Sequence, residues 1–303
     1  MRIVLVGQGS FGEKVLAALT QKGEDLVGVF CPPDKPSEPM KEMAQRLGIS
    51  LFRPNRMRGP EVYDTYAGLQ PDLSILAFVT DIIPERLLRI PSLGTICYHP
   101  SLLPRHRGAS AINWAIINGD TRTGLTIFWA DEGIDTGPIL LQKEVEIAPG
   151  DTTGSLYFNT LFPMGVEAMV EAVELISTGK APRISQDESK ATYEPPCDDS
   201  VATVDWKKSS RDLYNLIRGC DPQPGAHTTI KGKKVRLYDA RLHLVPSKKP
   251  SGEIILIGTG GIRVAVKDGF IEIGKLRVDK GEKVRPKEFA QSVDVKRGDR
   301  FED

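Results

Sequence analysis

The sequence predicts a doubly wound α/β domain with a mostly parallel sheet, followed by a small β-barrel or sandwich. Three observations carry that prediction. Strand-like and helix-like runs alternate through the first half of the chain, at the lengths of βα units. The run "DLSILAFV" (72–79) is almost continuously apolar, as a strand buried on both faces requires. Beyond Pro195-Pro196 the pattern changes to short alternating strands broken by glycine turns.

In order, "RIVLVG" (2–7) reads as the first strand, Glu13 to Lys22 as a helix and "DLVGVF" (25–30) as the second strand. "KEMAQRLG" (41–48) has helix-forming composition and a glycine stop, and "LFRP" (51–54) is a short strand ended by Pro54. After 72–79, "GTICYHP" (94–100) is another strand. The Pro- and Gly-punctuated "SLLPRHRG" (101–108) follows it, then a helix from Ala109 to Asn118. "GLTIFWAD" (124–131) and "PILLQKEVEI" (138–147) are late strands. Asp151 and Thr152 cap a helical stretch in which Leu156, Leu161, Val166, Met169, Val170 and Val173 recur at helical spacing. Gly179 closes that stretch, and Pro163 bends or divides it. The polar segment 187–202 contains the Pro195-Pro196 pair and marks a linker. A short helix in "WKKSSRDLYNLIRG" (206–219) then precedes strands at 234–244, 252–258, 261–266 and 269–276. The expected boundaries are a first domain 1–189, a linker 190–204 and a second domain 205–303.

Composition narrows the function. The 40 basic and 40 acidic residues cancel, so no global charge excess argues for nucleic acid or an anionic membrane. No apolar stretch has the length of a transmembrane helix, and the first residues read as a strand rather than a signal peptide. Cys31, Cys97, Cys197 and Cys220 are widely spaced with no C-x-x-C pair, which favours free thiols over disulfides or zinc. The expectation is a cytoplasmic protein without a metal.

Gly7, Gly9 and Gly12 match the spacing G-x-G-x-x-G between a strand and a helix, a dinucleotide-binding pattern. The second strand, however, ends in Phe30-Cys31-Pro32-Pro33, and Asp34 follows only after the prolines, so the usual ribose-binding acid is missing. Glycines in such a turn also serve sterics alone. The turn by itself does not indicate NAD.

The chemistry concentrates in "CYHPSLLPRHRGASAINW" (97–114) and "ADEGIDTGPIL" (130–140). His99 sits at the carboxyl end of a buried strand, the edge where open α/β sheets bind ligands. Asp135 lies in a loop flanked by Gly133 and Gly137. A His and an Asp can form an acid/base pair when the carboxylate orients the ring and supports its protonated form. Spacing alone does not distinguish this from a structural histidine in a proline-rich turn.

These two runs resemble the folate-dependent formyltransferase family, most of all its hydrolase-type members. The glycine-rich start, "VFCPPDK" (29–35), "TLFPMG" (160–165) and the carboxyl-terminal strands are also similar, so the resemblance covers nearly the whole chain. It implies a Rossmann-like first domain and an OB-like second one. It further implies 10-formyltetrahydrofolate as formyl donor, giving tetrahydrofolate, with neither NAD nor metal. By the same resemblance His99 and Asp135 are the catalytic pair. His99 would stabilise the oxyanion or handle the proton, and Asp135 would fix the ring and accept a proton from the attacking group. The pterin pocket would be made by Phe78, Asp81, Ile82 and Ile83 on one side and Ala130, Asp131 and Glu132 on the other, with backbone groups of 81–83 reading the pterin edge. Arg105 and Arg107 anchor the turn or attract the folate tail, and Trp114 and Trp129 are expected in the core.

The chain departs from the pattern twice. Amine-formylating members carry Asn two residues before the catalytic His, where its amide donates to the oxyanion; here stands Cys97, a much weaker donor. Cys97 could otherwise act as a transient formyl acceptor through a thioester. The loop "PPDKPSEPMKEM" (32–43) is short and balances its lysines with glutamates, unlike the basic loop that tRNA-formylating members use. Formyl transfer to water or a thiol is therefore expected first. An amine, on methionyl-tRNA or a small molecule, is the alternative. The aldehyde dehydrogenase module of long relatives has no counterpart in this sequence, so no oxidation to carbon dioxide is expected of it.

Overall fold

The computed structural model describes residues 1–245 and 248–302, in two compact units. The first comprises 1–109, 124–145 and 158–194; the second comprises 110–123, 146–157 and the chain from Pro195 onward.

The first unit starts β1 (Arg2–Gly7), α1 (Gly9–Gln21), β2 (Asp25–Phe30), α2 (Glu38–Leu47), β3 (Leu51–Phe52). It continues through α3 (Pro60–Gly68), β4 (Leu73–Ala77), α4 (Glu85–Leu88) and β5 (Gly94–His99). After α5 (Ala111–Ile117), counted with the second unit, come β6 (Arg122–Trp129) and β7 (Ile139–Glu146). From α6 (Thr153–Leu156), also in the second unit, a π-helical turn at 157–161 leads into α7 (Phe162–Ser177). Pro163 occupies the first turn of α7, where its missing N–H costs nothing, so the long helical pattern divides there.

The seven strands lie in the order β3-β2-β1-β4-β5-β6-β7. β1 to β5 are parallel to their neighbours, whereas β6 is antiparallel to β5. Side chains alternate along β1, so Ile3 and Leu5 join a core with α1, α2 and α7. Val4 and Val6 join a second core, with Val62 and Tyr66 of α3 and Leu87 and Leu88 of α4. Both faces are covered, as the continuous apolar run of β4 requires.

Between β1 and β4 the strand order reverses, and the glycine turn sits there. A Cβ on Gly7 would lie 2.5 Å from the Ala77 carbonyl oxygen, and one on Gly12 2.9 Å from Met40 Sδ. Two of the motif's glycines thus answer to close backbone and helix packing. α1 starts inside the turn, at Gly9 rather than at Glu13.

In the second unit α5 lies against α8 (Ser210–Gly219), where Asn113 Nδ2 donates to the Gly219 carbonyl at 2.8 Å. β8 (Ala226–Ile230), β9 (Lys233–His243), β10 (Ile254–Ile257), β11 (Ile262–Val266) and β12 (Gly269–Val278) form a separate antiparallel sheet, in the order β10-β11-β12-β9-β8. After α9 (Pro286–Val293), the end of the chain runs from one sheet edge to the other. Phe301 N donates to Gly252 O at 2.9 Å beside β10, and Glu302 N to Thr229 O of β8 at 2.8 Å. The Phe301 ring stacks on Trp206 at 5.7 Å in this unit's core. α3 and α9 escape the periodicity reading because each is short; their one local signal is the proline that opens each.

Of the two tryptophans expected in a core, Trp129 is buried there, with its indole N–H on Pro182 O at 2.9 Å. Trp114 is not. It is half-buried, and its N–H donates to Pro195 O at 2.7 Å, a polar anchor that draws the ring to the surface.

Candidate active site

His99 is the last residue of β5 and is buried. Ile96 and Tyr98 face the α1/α7 core, so strand alternation turns Cys97 and His99 to the opposite side. The imidazole is held at both nitrogens. Nε2 is 2.7 Å from the carbonyl oxygen of His106, and Nδ1 is 3.5 Å from Asp135 Oδ2. A carbonyl oxygen only accepts, so Nε2 carries a proton. Nδ1 then carries one only in the imidazolium; in the neutral ring its lone pair faces the carboxylate. The arrangement is complementary when one further proton lies between His99 and Asp135.

Asp135 reaches this position by an indirect path. β6 pairs Thr126 with His99 but Trp129 with Ile96, carrying the chain away from His99. The loop after Ala130 therefore has to double back. Ala130 N fastens its start to Thr95 O at 2.8 Å. Asp131 Oδ1 closes a tight turn by accepting from Gly133 N at 3.1 Å and Thr136 Oγ1 at 2.7 Å. At Gly137 any Cβ would overlap the Trp129 carbonyl oxygen. Asp135 itself adopts a left-handed φ of 57°, uncommon for a residue with a side chain.

Two groups fix that conformation. Gly108 N donates to Asp135 Oδ2 at 2.8 Å. Gln186 Nε2 donates to the carbonyl oxygens of Asp135 and Gly137, at 2.8 and 2.7 Å, while its Oε1 accepts from Arg107 Nε and Nη2. The Arg107 side chain is wholly buried; it also pairs with Glu188 at 2.6 Å and donates to the Tyr193 hydroxyl. These partners raise its pKa, and they show an anchor rather than an arginine free for a folate tail. His106 N donates to Thr192 Oγ1 at 2.8 Å, and its ring Nδ1 lies 3.1 Å from Glu194 Oε1. The stretch 106–108 is thereby fastened to 186–194, and its backbone supplies partners to both His99 and Asp135. Arg105 is exposed.

Cys97 is half-buried, its thiol pushed well above the ordinary range by burial and then by the Asp135 charge. That environment suppresses a thiolate nucleophile. Phe78 is exposed at the end of β4, with φ 61°; extending the Leu76–Cys97 register places it level with His99. Ile82 is exposed and Ile83 half-buried against the second core. The Asp81 carboxylate accepts from Met57 N at 2.7 Å and Ile82 N at 3.0 Å, fixing the start of this loop. Glu132 and Ile134 are exposed on the opposing loop. Exposed apolar side chains at 78, 82 and 134 suit a flat aromatic ligand. A small hollow opens at the strand switch point, lined among others by Gln8, Cys31, Arg56, Met57 and Asp81. Among the described residues, no three or more His, Cys, Asp or Glu side chains gather as metal ligands.

Gln186, Gly108 and the His106 carbonyl have no signal in the sequence. Each acts through the backbone or an amide, and Gln186 lies 51 positions beyond Asp135.

The model of the formyl transferase family matches residues 1–173, and that of the formyl transferase C-terminal domain matches 198–294. The human mitochondrial 10-formyltetrahydrofolate dehydrogenase is 44% identical over 282 residues, covering 90% of this chain and 30% of that protein. The chain thus spans about a third of the length of such relatives. Methionyl-tRNA formyltransferase of Geotalea uraniireducens (strain Rf4) is 35% identical over 306 residues, covering 98% of this chain and 97% of that protein. Among solved structures, HypX from Aquifex aeolicus in complex with tetrahydrofolic acid superposes with a TM-score of 0.72 at 22% identity, over 97% of this chain and 47% of that one.

Proposed function

Because this chain belongs to the formyl transferase family, we propose that it moves the formyl group of 10-formyltetrahydrofolate to water or a thiol, with His99 and Asp135 as the catalytic pair. The observation that carries this reading is the clamped imidazole, with Nε2 on His106 O and Nδ1 facing Asp135.

In this reading each group has a task. With Nε2–H committed to a backbone carbonyl, Nδ1 is the ring atom left for the reaction: its proton, facing Asp135 in the resting pair, would be shared with the formyl oxygen as negative charge develops. Asp135, positioned by Gly108 and Gln186, takes the proton of the attacking water. The proton held by the pair then goes to N10 as the C–N bond breaks, leaving formate and tetrahydrofolate. An amide-like bond needs both charge stabilisation and leaving-group protonation, and this pair offers both at one place. The loops at 78–83 and 130–134 would hold the pterin through apolar faces and backbone groups.

Cys97 supports water as acceptor, since a raised thiol supplies neither a covalent relay nor the amide donor of amine-formylating relatives. One observation favours a second reading, formylation of an amine: the methionyl-tRNA formyltransferase relative aligns over its full length. Incubation with 10-formyltetrahydrofolate, alone and with methionyl-tRNA or a small amine, decides between them by mass spectrometry. Formate released without an amine acceptor is the expected product. Turnover only when an amine is supplied would overturn the hydrolytic reading, and no consumption of the folate would overturn both.

A further inference from the structure

We propose that Cys197 and Cys220, in the second unit, form a thiol pair that closes to a reversible disulfide when a small-molecule disulfide reacts with it. The inference is independent of formyl transfer. The two sulfurs lie 3.8 Å apart, already in contact, although the residues are 23 positions apart in sequence. A disulfide needs about 2.05 Å, so closure requires a short movement of one side chain.

The two sides differ in the way such a reaction needs. Cys220 is fixed: it caps α8, donates from its backbone N to Leu216 O at 2.9 Å, and accepts from Gly225 N at 2.8 Å. Its side chain is buried in the core of the unit. Cys197 lies outside regular structure, half-buried, in the polar stretch after Pro195-Pro196. A reagent can therefore meet Cys197 first.

Protonation follows the same asymmetry. Either thiol can donate in this contact; with Cys220 as the donor, the contact lowers the Cys197 pKa, while the contact and burial raise that of Cys220. As the accessible member of the pair, outside regular structure, Cys197 is the attacking thiolate. Its sulfur attacks the small disulfide, and one thiolate leaves. Once Cys197 is in a mixed disulfide it is no longer a thiolate, so Cys220, still raised by burial, faces an electrophilic sulfur in contact rather than a negative charge. Cys220 then loses its proton, attacks the Cys197 sulfur and expels the second thiolate. Two electrons pass from the cysteine pair to the small disulfide, which ends as two thiols. The bond would tie the segment entering the unit to the end of α8, closing a loop that contains Trp206 and α8.

The test uses the reduced full chain with excess oxidised glutathione, followed by alkylation and peptide mapping without reduction. The expected product is lighter by two hydrogens, carries a Cys197–Cys220 cross-linked peptide, and returns to free thiols with dithiothreitol. Cys31 and Cys97, whose pKa values are raised by burial, should stay reduced and serve as internal controls. In Cys220→Ala, glutathione should remain on Cys197. A stable glutathione adduct on Cys197 of the unsubstituted chain would overturn the proposal, as would a Cys197 that stays freely alkylatable after oxidation.

Discussion

Gln186 holds Asp135 by its backbone: one amide group donates to the Asp135 carbonyl oxygen at 2.8 Å while accepting from the buried Arg107 guanidinium at 2.7 Å. The Asp135 loop, at its left-handed residue, is thus tied to the turn that follows His99. Gln186→Glu keeps an acceptor for Arg107 but cannot donate to the two carbonyls. We expect kcat to fall about 10–100-fold, because small misplacement of a reacting group is costly, with KM for the folate little changed. A fall in KM-dependent terms alone, at constant kcat, would make Gln186 a binding rather than a positioning residue.

His99→Ala and Asp135→Asn should each lower kcat by about 10²–10⁴-fold, the range for loss of a general acid or base. The double variant should be hardly worse than either single one, since groups sharing one proton act as a unit. Single-turnover rates at saturating folate measure this. Losses that multiply would show that the two act separately. Asp135→Asn also removes the charge that helps raise the Cys97 pKa, so alkylation of Cys97 near pH 8 should accelerate.

Cys97→Asn should add an oxyanion donor on the same face of β5 as His99. A well-placed donor of this kind is worth about 2.7–4 kcal/mol, and amine acceptors should gain most. Rates with water and with a small amine, compared between the variant and the parent, provide the readout. Identical acceptor preference would place position 97 away from the developing charge.

Asp199 accepts from Arg236 at 2.7 and 2.8 Å and from Lys234 at 2.7 Å, and these cations hold its carboxyl well below the usual range. A depressed carboxyl pKa stabilises the folded state above the unfolded value, about pH 4, and that contribution disappears as pH falls toward the folded value. The side chain is half-exposed, so screening limits the effect to about 1 kcal/mol or less. Asp199→Asn should therefore lower Tm by a few degrees at neutral pH. The difference from the parent should shrink on acidification below about pH 4. A difference that persisted unchanged in acid would assign it to packing.

The candidate pair came from the family resemblance of its two runs; the strand end at His99 and the glycines beside Asp135 fit it but did not by themselves distinguish it from a structural histidine. Its working geometry was not legible at all. The sequence reading could not see that β6 runs antiparallel to β5, which obliges the loop to double back. For Arg107 the sequence left two roles open, an anchor of the turn or a site for the folate tail. Gln186, Glu188 and Tyr193, which together permit its full burial, are distant partners that no local pattern reveals.

Local rules determined most strands and helices, though not β8, because apolar period, caps and glycine stops act within a few residues of one another. They also determined the turn at Gly7 and Gly12, where only glycine lets Ala77 and Met40 approach. Tertiary structure alone decided which groups meet His99, since a backbone carbonyl, a backbone amide and a distant glutamine leave no periodicity to read. It likewise decided that residues 110–123 and 146–157 belong with the carboxyl-terminal unit. Sequence patterns encode which face of an element is buried; partners between elements are set by packing, whose contacts arise only once the whole chain has folded.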